Sequence, residues 1–479
     1  MIKLKNILLE GKKEKAAMDY LSKMIKKSPF KGKVYVAGGA VRDELLGLPI
    51  KDIDLVVSTP DGGIKFAEWI TKKIGKYKSG SNPVTYPKFG TAKFQLYGVK
   101  HKGVDLSELE IEAVMARTEK YTKGSRKPEV GTGTLKQDVE RRDFTVNSLL
   151  KDLTTGEILD FTGQGKNDIR SGIIQTPMDP DIIFTEDPLR MLRAIRFTVK
   201  YNWKLPMFMI RALKKNALQL KNISMERIRD ELDKMLVTGY PDKAVKLMRI
   251  TGLSKFVIPE LDKLHKLKQN KFHKWSAGKH TLEVLKNVPP DLTTRLAALF
   301  HDIGKSATKT VVKKEIHFYE HERVSGEITR DIMMRLKYPS NIINVVVKIV
   351  SSHMRTKQAG PKGDQISDKA LRKLKRDLGD HLEATLDVIA SDNNAHHPDY
   401  NMPDQIPGIR NRLKDLDMGQ GGKIVLPVNG NDIMKKFNLN PGPLLGVLLK
   451  AVEEEYLENP RITRSQAMSV VKNVLRKYK

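Results

Sequence analysis

Strand-like patterning stops near residue 178 of this 479-residue chain, and that break constrains the fold more than any other feature. Before it, Val34-Tyr35-Val36 and Ile53–Val57 read as short buried strands. Ala92–Val99 alternates between apolar and polar residues, and Glu110–Met115 is a further strand candidate. Beyond it, helical periodicity runs through 186–200, 206–218, 224–237 and 241–251, then through a block from about 270 to 400. A last helical block follows the Pro/Asp-rich linker His397–Asp404, and its Pro441-Gly442-Pro443 is expected to start a helix. No internal repeat is present. The expected fold class is α+β: a small mixed α/β head followed by an extended all-α neck and body, a helical domain and a helical tail. The expected boundaries are a basic N-terminal helix at 1–30, the head at 31–178, the neck at 179–268, a helical domain at 269–402 and the tail at 403–479. Within the head, Tyr121–Thr134 is rich in Gly, Lys and Thr and reads as a loop.

Charge and composition narrow the chemistry. Lys and Arg number 86 against 57 Asp and Glu, a formal net charge of +29. Such an excess favours a polyanionic partner, most simply nucleic acid, over a merely solubilising surface. The absence of cysteine excludes disulfides, thiolate zinc sites and cysteine nucleophiles, so any metal must be held by His, Asp or Glu. No apolar run approaches the roughly 18 residues of a membrane span, and the N-terminus lacks the apolar core of a signal peptide. A soluble cytoplasmic protein is expected, with no membrane partner.

Three head motifs carry candidate chemistry. Val34–Asp43 reads as strand, glycine turn and helix start. Gly38 and Gly39 let a ligand approach the backbone, whose amides there can hold phosphate, and Arg42 adds a cation one turn later. An ordinary turn with an Arg42–Asp43 ion pair is the alternative. Asp52-Ile53-Asp54 places two carboxylates on one side of a strand with Ile53 turned to the core. Like charges so close call for a cation, and Mg²⁺ suits two carboxylates with phosphate oxygens and water. An acidic strand end facing water is the alternative. Residues 139–149 read as the start of an amphipathic helix, where Arg142 can meet a triphosphate and Asp143 and Asn147 can hold a ribose or orient Arg142.

A fourth motif selects among bases. Thr185 is expected to cap a helix that begins with Glu186 and Asp187, with Arg190, Arg193 and Arg196 recurring every three residues. Cytosine and adenine present an amino donor beside a ring-nitrogen acceptor. Asp187 can accept from the first and Arg190 donate to the second, whereas a carbonyl on uracil or guanine would be repelled. A capped helix with a Glu186–Arg190 pair is the structural alternative.

The run Val36-Ala-Gly-Gly-Ala-Val-Arg-Asp-Glu-Leu-Leu-Gly-Leu-Pro-Ile-Lys-Asp-Ile-Asp54 resembles the opening motif of class II tRNA nucleotidyltransferases, the CCA-adding enzymes. Arg141–Asn147, Ala116–Glu119, Glu186–Phe197 and Ser224–Leu232 also resemble family segments, in the family order, and the likeness covers about residues 33–260. The resemblance implies that Asp52 and Asp54 bind catalytic Mg²⁺. It implies that Gly39, Arg42, Arg142, Arg190 and Arg193 bind the incoming nucleotide, and that Asp187 with Arg190 serves as a protein template for CTP and ATP. Glu112 offers a third carboxylate on a neighbouring strand. The implied reaction adds nucleotides to a tRNA 3′ end, with the basic helical body gripping the acceptor arm. Poly(A) polymerases share this head, but Phe89-Gly-Thr-Ala-Lys-Phe94 looks more like the CCA-adding type.

A second constellation lies in the middle block: His280, then His301-Asp302, then Asp392. Two imidazoles and two carboxylates suit Mn²⁺, Fe²⁺, Ni²⁺ or Zn²⁺. The pattern resembles the HD-domain phosphohydrolases, whose metal-ligand motif matches these four residues, with Lys305 following. His321 and His353 match positions that support the site or a second metal. The resemblance implies phosphatase or 2′,3′-cyclic phosphodiesterase activity on RNA ends, as in multifunctional bacterial CCA proteins. The competing functions are poly(A) polymerase, a phosphohydrolase whose head only docks RNA, and a non-catalytic RNA-binding protein.

Overall fold

In the computed structural model, which describes residues 11–74, 82–120, 129–416 and 425–478, the chain divides into two units, Met1–Val257 and Ile258–Lys479. No helix among the described residues is long and apolar enough to cross a membrane. The N-terminal hexapeptide and most of the expected Tyr121–Thr134 loop lie outside the described residues. Their flanks, Arg117–Lys120 and Glu129–Thr132, pair as an antiparallel hairpin.

The first unit opens with helix α1 (Lys12–Ile25), whose buried stripe includes Ala17, Leu21 and Ile25. Asp19 on its other side meets His101 at 2.6 Å and Lys102 at 2.9 Å. A seven-stranded sheet follows: β1 (Val34–Ala37), β2 (Ile53–Val57), β3 (Val84–Tyr86), β4 (Thr91–Gln95), β5 (Glu110–Met115), β6 (Leu150–Asp152) and β7 (Ile158–Leu159). Their spatial order is β7-β6-β1-β2-β5-β4-β3, and only β2 and β5 run parallel. The parallel pair needs a long crossover, and that crossover contains helix α2 (Gly62–Ile74), β3 and β4. Phe66, Ala67 and Ile70 of α2 are fully buried. Gly63 is required where this helix meets the sheet, because a Cβ there would lie 2.4 Å from the Ala113 carbonyl oxygen.

The expected helix start at 139–149 is not formed. Helix α3 covers Leu135–Glu140, closed by a Thr134–Gln137 capping box, and a single 3₁₀ turn holds Thr145–Asn147. The expected continuous helix from 186 is likewise broken. One short helix, α4, spans Pro180–Glu186, and α5 (Leu189–Lys200) starts after Pro188. Thr185 is therefore not a cap: its hydroxyl donates to the Asp181 carbonyl oxygen at 2.7 Å, and Asp187 Oδ1 accepts from the Leu189 amide at 3.2 Å. Pro188 lacks an amide hydrogen and disfavours helical geometry at Asp187, which explains the break. Helices α6 (Met207–Asn216), α7 (Met225–Leu236) and α8 (Pro241–Ile250) follow, and a single turn at Ser254–Val257 ends the unit.

Among its described residues the second unit is helical except for one antiparallel hairpin, Lys309–Val312 with Glu315–Phe318, which the periodicity did not announce. Its labelled helices are α9 (Ala277–Asn287), α10 (Leu292–Phe300), α11 (His321–Arg335), α12 (Ser340–Ser352), α13 (Asp368–Leu378), α14 (Leu382–Asn394) and α15 (Gln405–Asp415). Ile406 and Ile409 of α15 share a core with Leu371, Leu386 and Ile389, so the Pro/Asp-rich linker does not separate two cores. A later core begins at Val428 and runs through α16 (Gly430–Phe437), α17 (Pro443–Glu458) and α18 (Arg464–Leu475). Pro443 occupies the first turn of α17, where its missing amide hydrogen costs nothing.

Candidate functional site

The glycine turn after β1 is held by two arginines. Gly38 adopts φ 66° and ψ −125°, a conformation that glycine alone tolerates readily. A Cβ on Gly38 would sit 3.1 Å from Arg142 Nη1, and one on Gly39 would sit 3.5 Å from Arg42 Nη2. Arg42 is only 4% exposed. It pairs with Asp43 at 2.8 Å, donates to Asn147 Oδ1, and packs over the Phe197 and Tyr201 rings at 5.2 and 5.0 Å. The alternative Arg42–Asp43 pair is therefore real, but it is buried beside the turn.

Arg142 is aimed by a residue that the sequence reading did not single out. Asp138 has no exposed surface, and its carboxylate accepts from Arg141 at 2.6 Å and from Arg142 at 2.9 Å. Burial opposes its ionisation, yet Arg142 and Arg141 together hold its pKa below the usual carboxylate value. The spacing was legible, since residues three and four apart on a helix share a face. Asp143 is also buried; it accepts from Arg193 at 2.9 Å and from Asn147 at 2.9 Å. Burial again opposes ionisation, and the Arg193 charge overcomes it.

Asp54 on β2 faces Glu112 on β5 across the parallel register, and Lys93 on β4 stands beyond Glu112. Ile53 between the two aspartates is 1% exposed, as expected, and both aspartate side chains reach solvent. Even so, partial desolvation raises the Asp54 pKa, with Glu112 and then Asp52 adding repulsion and Arg142 working against it. These are the electrostatics of carboxylates that a divalent cation would relieve.

The two residues expected to read the base have other partners in this structure. Asp187 pairs with Arg227 on α7 at 3.1 Å. Arg190 donates to Glu186 at 3.2 Å and to the Arg141 carbonyl oxygen at 2.8 Å. Arg193 and Arg196 reach Glu231 at 3.9 and 2.6 Å, and Arg196 lies 4.4 Å from the Phe197 ring centre. Arg227 and Glu231 both fall in the Ser224–Leu232 segment.

In the second unit, five elements deliver one cluster. His280 lies on α9, His301 and Asp302 end α10, His321 begins α11, His353 follows α12 and Asp392 lies on α14. The Ser276 hydroxyl caps α9 and the Asp291 carboxylate caps α10. The turn after Asp302 is pinned by the Gly304 amide, which donates to Ser325 Oγ at 2.9 Å. Asp302 is 1% exposed; its oxygens lie 3.3 Å from His301 Nε2, 3.4 Å from His321 Nε2, 3.7 Å from His280 Nε2 and 2.7 Å from Lys305 Nζ. Asp392 reaches His280 Nε2 at 2.8 Å and His301 Nε2 at 3.8 Å.

Ring orientation reveals what the cluster is for. Nδ1 of His301, His321 and His353 lies 2.8, 2.9 and 2.7 Å from the carbonyl oxygen three residues earlier. A carbonyl only accepts, so each Nδ1 carries a proton, and in the neutral imidazole each Nε2 turns a lone pair inward. The Nε2 atoms of His301 and His353 are buried without a hydrogen-bond partner. Lone pairs facing carboxylates at these separations fit metal coordination, and two groups sharing Asp302 meet the spacing: His280–His301–Asp302 and Asp302–His321–His353. Burial lowers the pKa of His280 and takes that of His353 down to about 3. His301 moves up, because the Asp302 charge outweighs its desolvation. A cavity of about 420 Å³ opens on the cluster. His273 and His396 line it as well, with ring centres 4.7 Å apart, and the sequence offered no motif to assign them.

Comparison with known proteins follows these two sites. A family model described as the poly A polymerase head domain matches residues 34–175. One described as a probable RNA and SrmB-binding site of polymerase A matches 209–264, and an HD-domain model matches 278–390. The chain is 31% identical over 354 residues to a multifunctional CCA protein of Neisseria gonorrhoeae, covering 71% of this chain and 78% of that one. It is 27% identical over 482 residues to the tRNA nucleotidyltransferase cca1 of Schizosaccharomyces pombe, covering 94% and 92%. Among solved structures it resembles the Bacillus stearothermophilus CCA-adding enzyme in complex with CTP, with TM-score 0.66, 23% identity and coverage of 98% and 99%.

Proposed function

We infer the activity from the premise that this chain belongs to the family of multifunctional CCA proteins, class II CCA-adding tRNA nucleotidyltransferases that carry an HD domain. It is a tRNA nucleotidyltransferase that builds or repairs the 3′-terminal CCA from CTP and ATP. The single observation that carries this reading in the head is convergence. Arg42 and Arg142 flank the glycine turn, and Arg142 acts electrostatically on Asp54, whose strand neighbour is Glu112.

The chain's own residues then divide the work. Backbone amides of the glycine turn with Arg42 and Arg142 hold the triphosphate. Asp143 and Asn147 fix Arg193 and Arg42 in place. Asp187, released from Arg227, and Arg190 read the amino group and ring nitrogen of cytosine or adenine. Mg²⁺ held by Asp52 and Asp54 would neutralise charge on the reacting phosphates. The tRNA 3′-hydroxyl displaces pyrophosphate, and positioning supplies most of the catalysis. Basic residues of the helical neck grip the acceptor arm through its phosphates. Acting on tRNA, the enzyme would work in the cytoplasm.

The second unit adds a phosphohydrolase for RNA ends. A divalent ion such as Ni²⁺, Mn²⁺, Fe²⁺ or Zn²⁺ at His280, His301, Asp302 and Asp392 would supply the Lewis acid for phosphate-ester hydrolysis. Lys305 would support that site at the Asp302 oxygen facing His280 and His301, and His321 and His353 would support it at the other oxygen. The two activities form a sequence, because a terminal phosphate must leave before a 3′-hydroxyl can be extended.

The test uses tRNA lacking zero to three terminal nucleotides, with CTP and ATP supplied separately and products read at single-nucleotide resolution. Extension that stops at CCA is expected. Long tails from ATP on generic RNA would overturn it in favour of a poly(A) polymerase. Phosphate release without incorporation would leave only the hydrolase.

A further inference from the structure

The cavity at the HD cluster is larger than a phosphate group requires. At about 420 Å³ it falls in the range of small-molecule sites, roughly 300–1,000 Å³. One end is the imidazole–carboxylate cluster, and the remaining wall includes Phe272, Phe318, Tyr319 and Tyr400. Among these rings Tyr319 has a distinct setting. It lies parallel to His317, with centroids 5.2 Å apart and planes within 5°. It is nevertheless 62% exposed, so His317 backs the ring and leaves much of it open.

The backbone couples this ring to the cluster. Tyr319 follows the Glu315–Phe318 strand, and His321 opens α11 two residues later. Glu320 between them has φ 54°, the left-handed region, which an L side chain adopts at a cost. That residue is the corner that lets Tyr319 and His321 line the same cavity. Lys305, which contacts Asp302 at 2.7 Å, also lies 5.5 Å from the Phe318 ring centre. An exposed ring, a cation and a metal-type cluster therefore share one concave space.

We propose that Tyr319, backed by His317, is a nucleobase platform. It would bind the terminal nucleoside of an RNA whose 2′- or 3′-phosphate, or 2′,3′-cyclic phosphate, points toward Lys305 and Asp302. The inference rests on the phosphohydrolase reading and adds a specificity-determining residue to that site. A flat ring accepts any base face, so the platform sets preference for nucleoside phosphates over simple phosphate esters without choosing among bases.

The experiment compares the metal-loaded full chain with Tyr319→Ala and Tyr319→Phe. Substrates are adenosine 2′,3′-cyclic phosphate and glycerol 2-phosphate, an ester with no aromatic face to stack. Calorimetric binding of adenosine 2′-phosphate to the chelator-treated proteins supplies a readout independent of turnover. Tyr319→Ala should lose roughly tenfold in kcat/KM on the cyclic nucleotide, mainly through KM, with a matching loss of binding. Hydrolysis of glycerol 2-phosphate, which has no ring to stack, should be spared, and Tyr319→Phe should retain nucleotide activity. Equal loss on both substrates, or unchanged nucleotide binding in Tyr319→Ala, would overturn the platform. Should the wild type hydrolyse neither substrate while Tyr319→Ala still loses binding, the platform stands and the phosphohydrolase reading falls.

Discussion

Asp138→Asn is the most searching perturbation of the head, because Asp138 touches no expected ligand and acts only through the arginines it holds. Its carboxylate accepts from Arg141 at 2.6 and 3.2 Å, from Arg142 at 2.9 and 3.3 Å, and from the Arg117 amide at 3.4 Å. Asparagine keeps the volume but removes the anion and turns an NH₂ group toward guanidinium groups. Breaking a buried charge cluster by deleting one partner costs about 3–5 kcal/mol. The arginine side chains are 18% exposed, so water recovers part of the loss. The expected destabilisation is therefore near the lower end, about 3 kcal/mol or two powers of ten in the folded ratio. Arg142 also loses its aim beside Gly38, and one weakened charge-assisted bond to phosphate is worth about 1.5 kcal/mol, roughly tenfold in KM for CTP. Guanidinium unfolding reads the first number, and nucleotide addition to truncated tRNA reads the second. The double-mutant cycle with Arg142→Ala decides the reasoning. If Asp138 works through Arg142, the two KM effects overlap. Fully additive effects, with no coupling, would refute it.

Three further outcomes follow from the geometry. Gly38→Ala places a Cβ at φ 66° and 3.1 Å from Arg142, so nucleotide addition should fall at least tenfold with little change in tRNA affinity, read by filter binding. Asp302→Asn removes the carboxylate shared by both metal-type groups, so metal content by emission spectroscopy and phosphate release should both be lost with CCA addition preserved. In metal-stripped protein, burial takes His273 down to about 2 and His353 to about 3, against 6.5 when unfolded. The unfolded chain then binds more protons below about pH 6.5, and stability should fall as pH drops toward 3, by up to about 1.4 kcal/mol per pH unit for each histidine. His301 shifts the other way and opposes the trend, and a melting temperature flat between pH 6.5 and 4.5 would contradict the assignment.

Local patterns were legible wherever they matched a period. Leu292–Phe300 and Glu110–Met115 form the helix and strand that their periodicity announces. The paired aspartates and the His-Asp constellation were readable because their chemistry is costly without a cation. Sequence alone did not reveal which neighbours constrain them. Glu112 meets Asp54 only because β2 and β5 run parallel in register, and parallel register is decided by the whole sheet. The Lys309–Phe318 hairpin was missed because its first strand is exposed and its second only half-buried, so neither has the buried face that makes a strand visible. Its turn uses Lys313 and Lys314 at φ 48° and 65°, a conformation ordinarily signalled by Asn or Gly. Asp187 was read as a first-turn acid because α4 and α5 have continuous apolar spacing, and only Pro188 hinted at the interruption.

The inward lone pairs of His301, His321 and His353 are fixed by carbonyls of their own polypeptide, three residues upstream. Their tautomers are thus set as soon as the local turns form, before any ion arrives. An ion can exchange without refolding the surrounding helices, and little strain is available to reject one first-row metal in favour of another. The ion held there would follow affinity as well as cellular supply, so growth media enriched in nickel or zinc should load the protein more fully than media enriched equally in manganese.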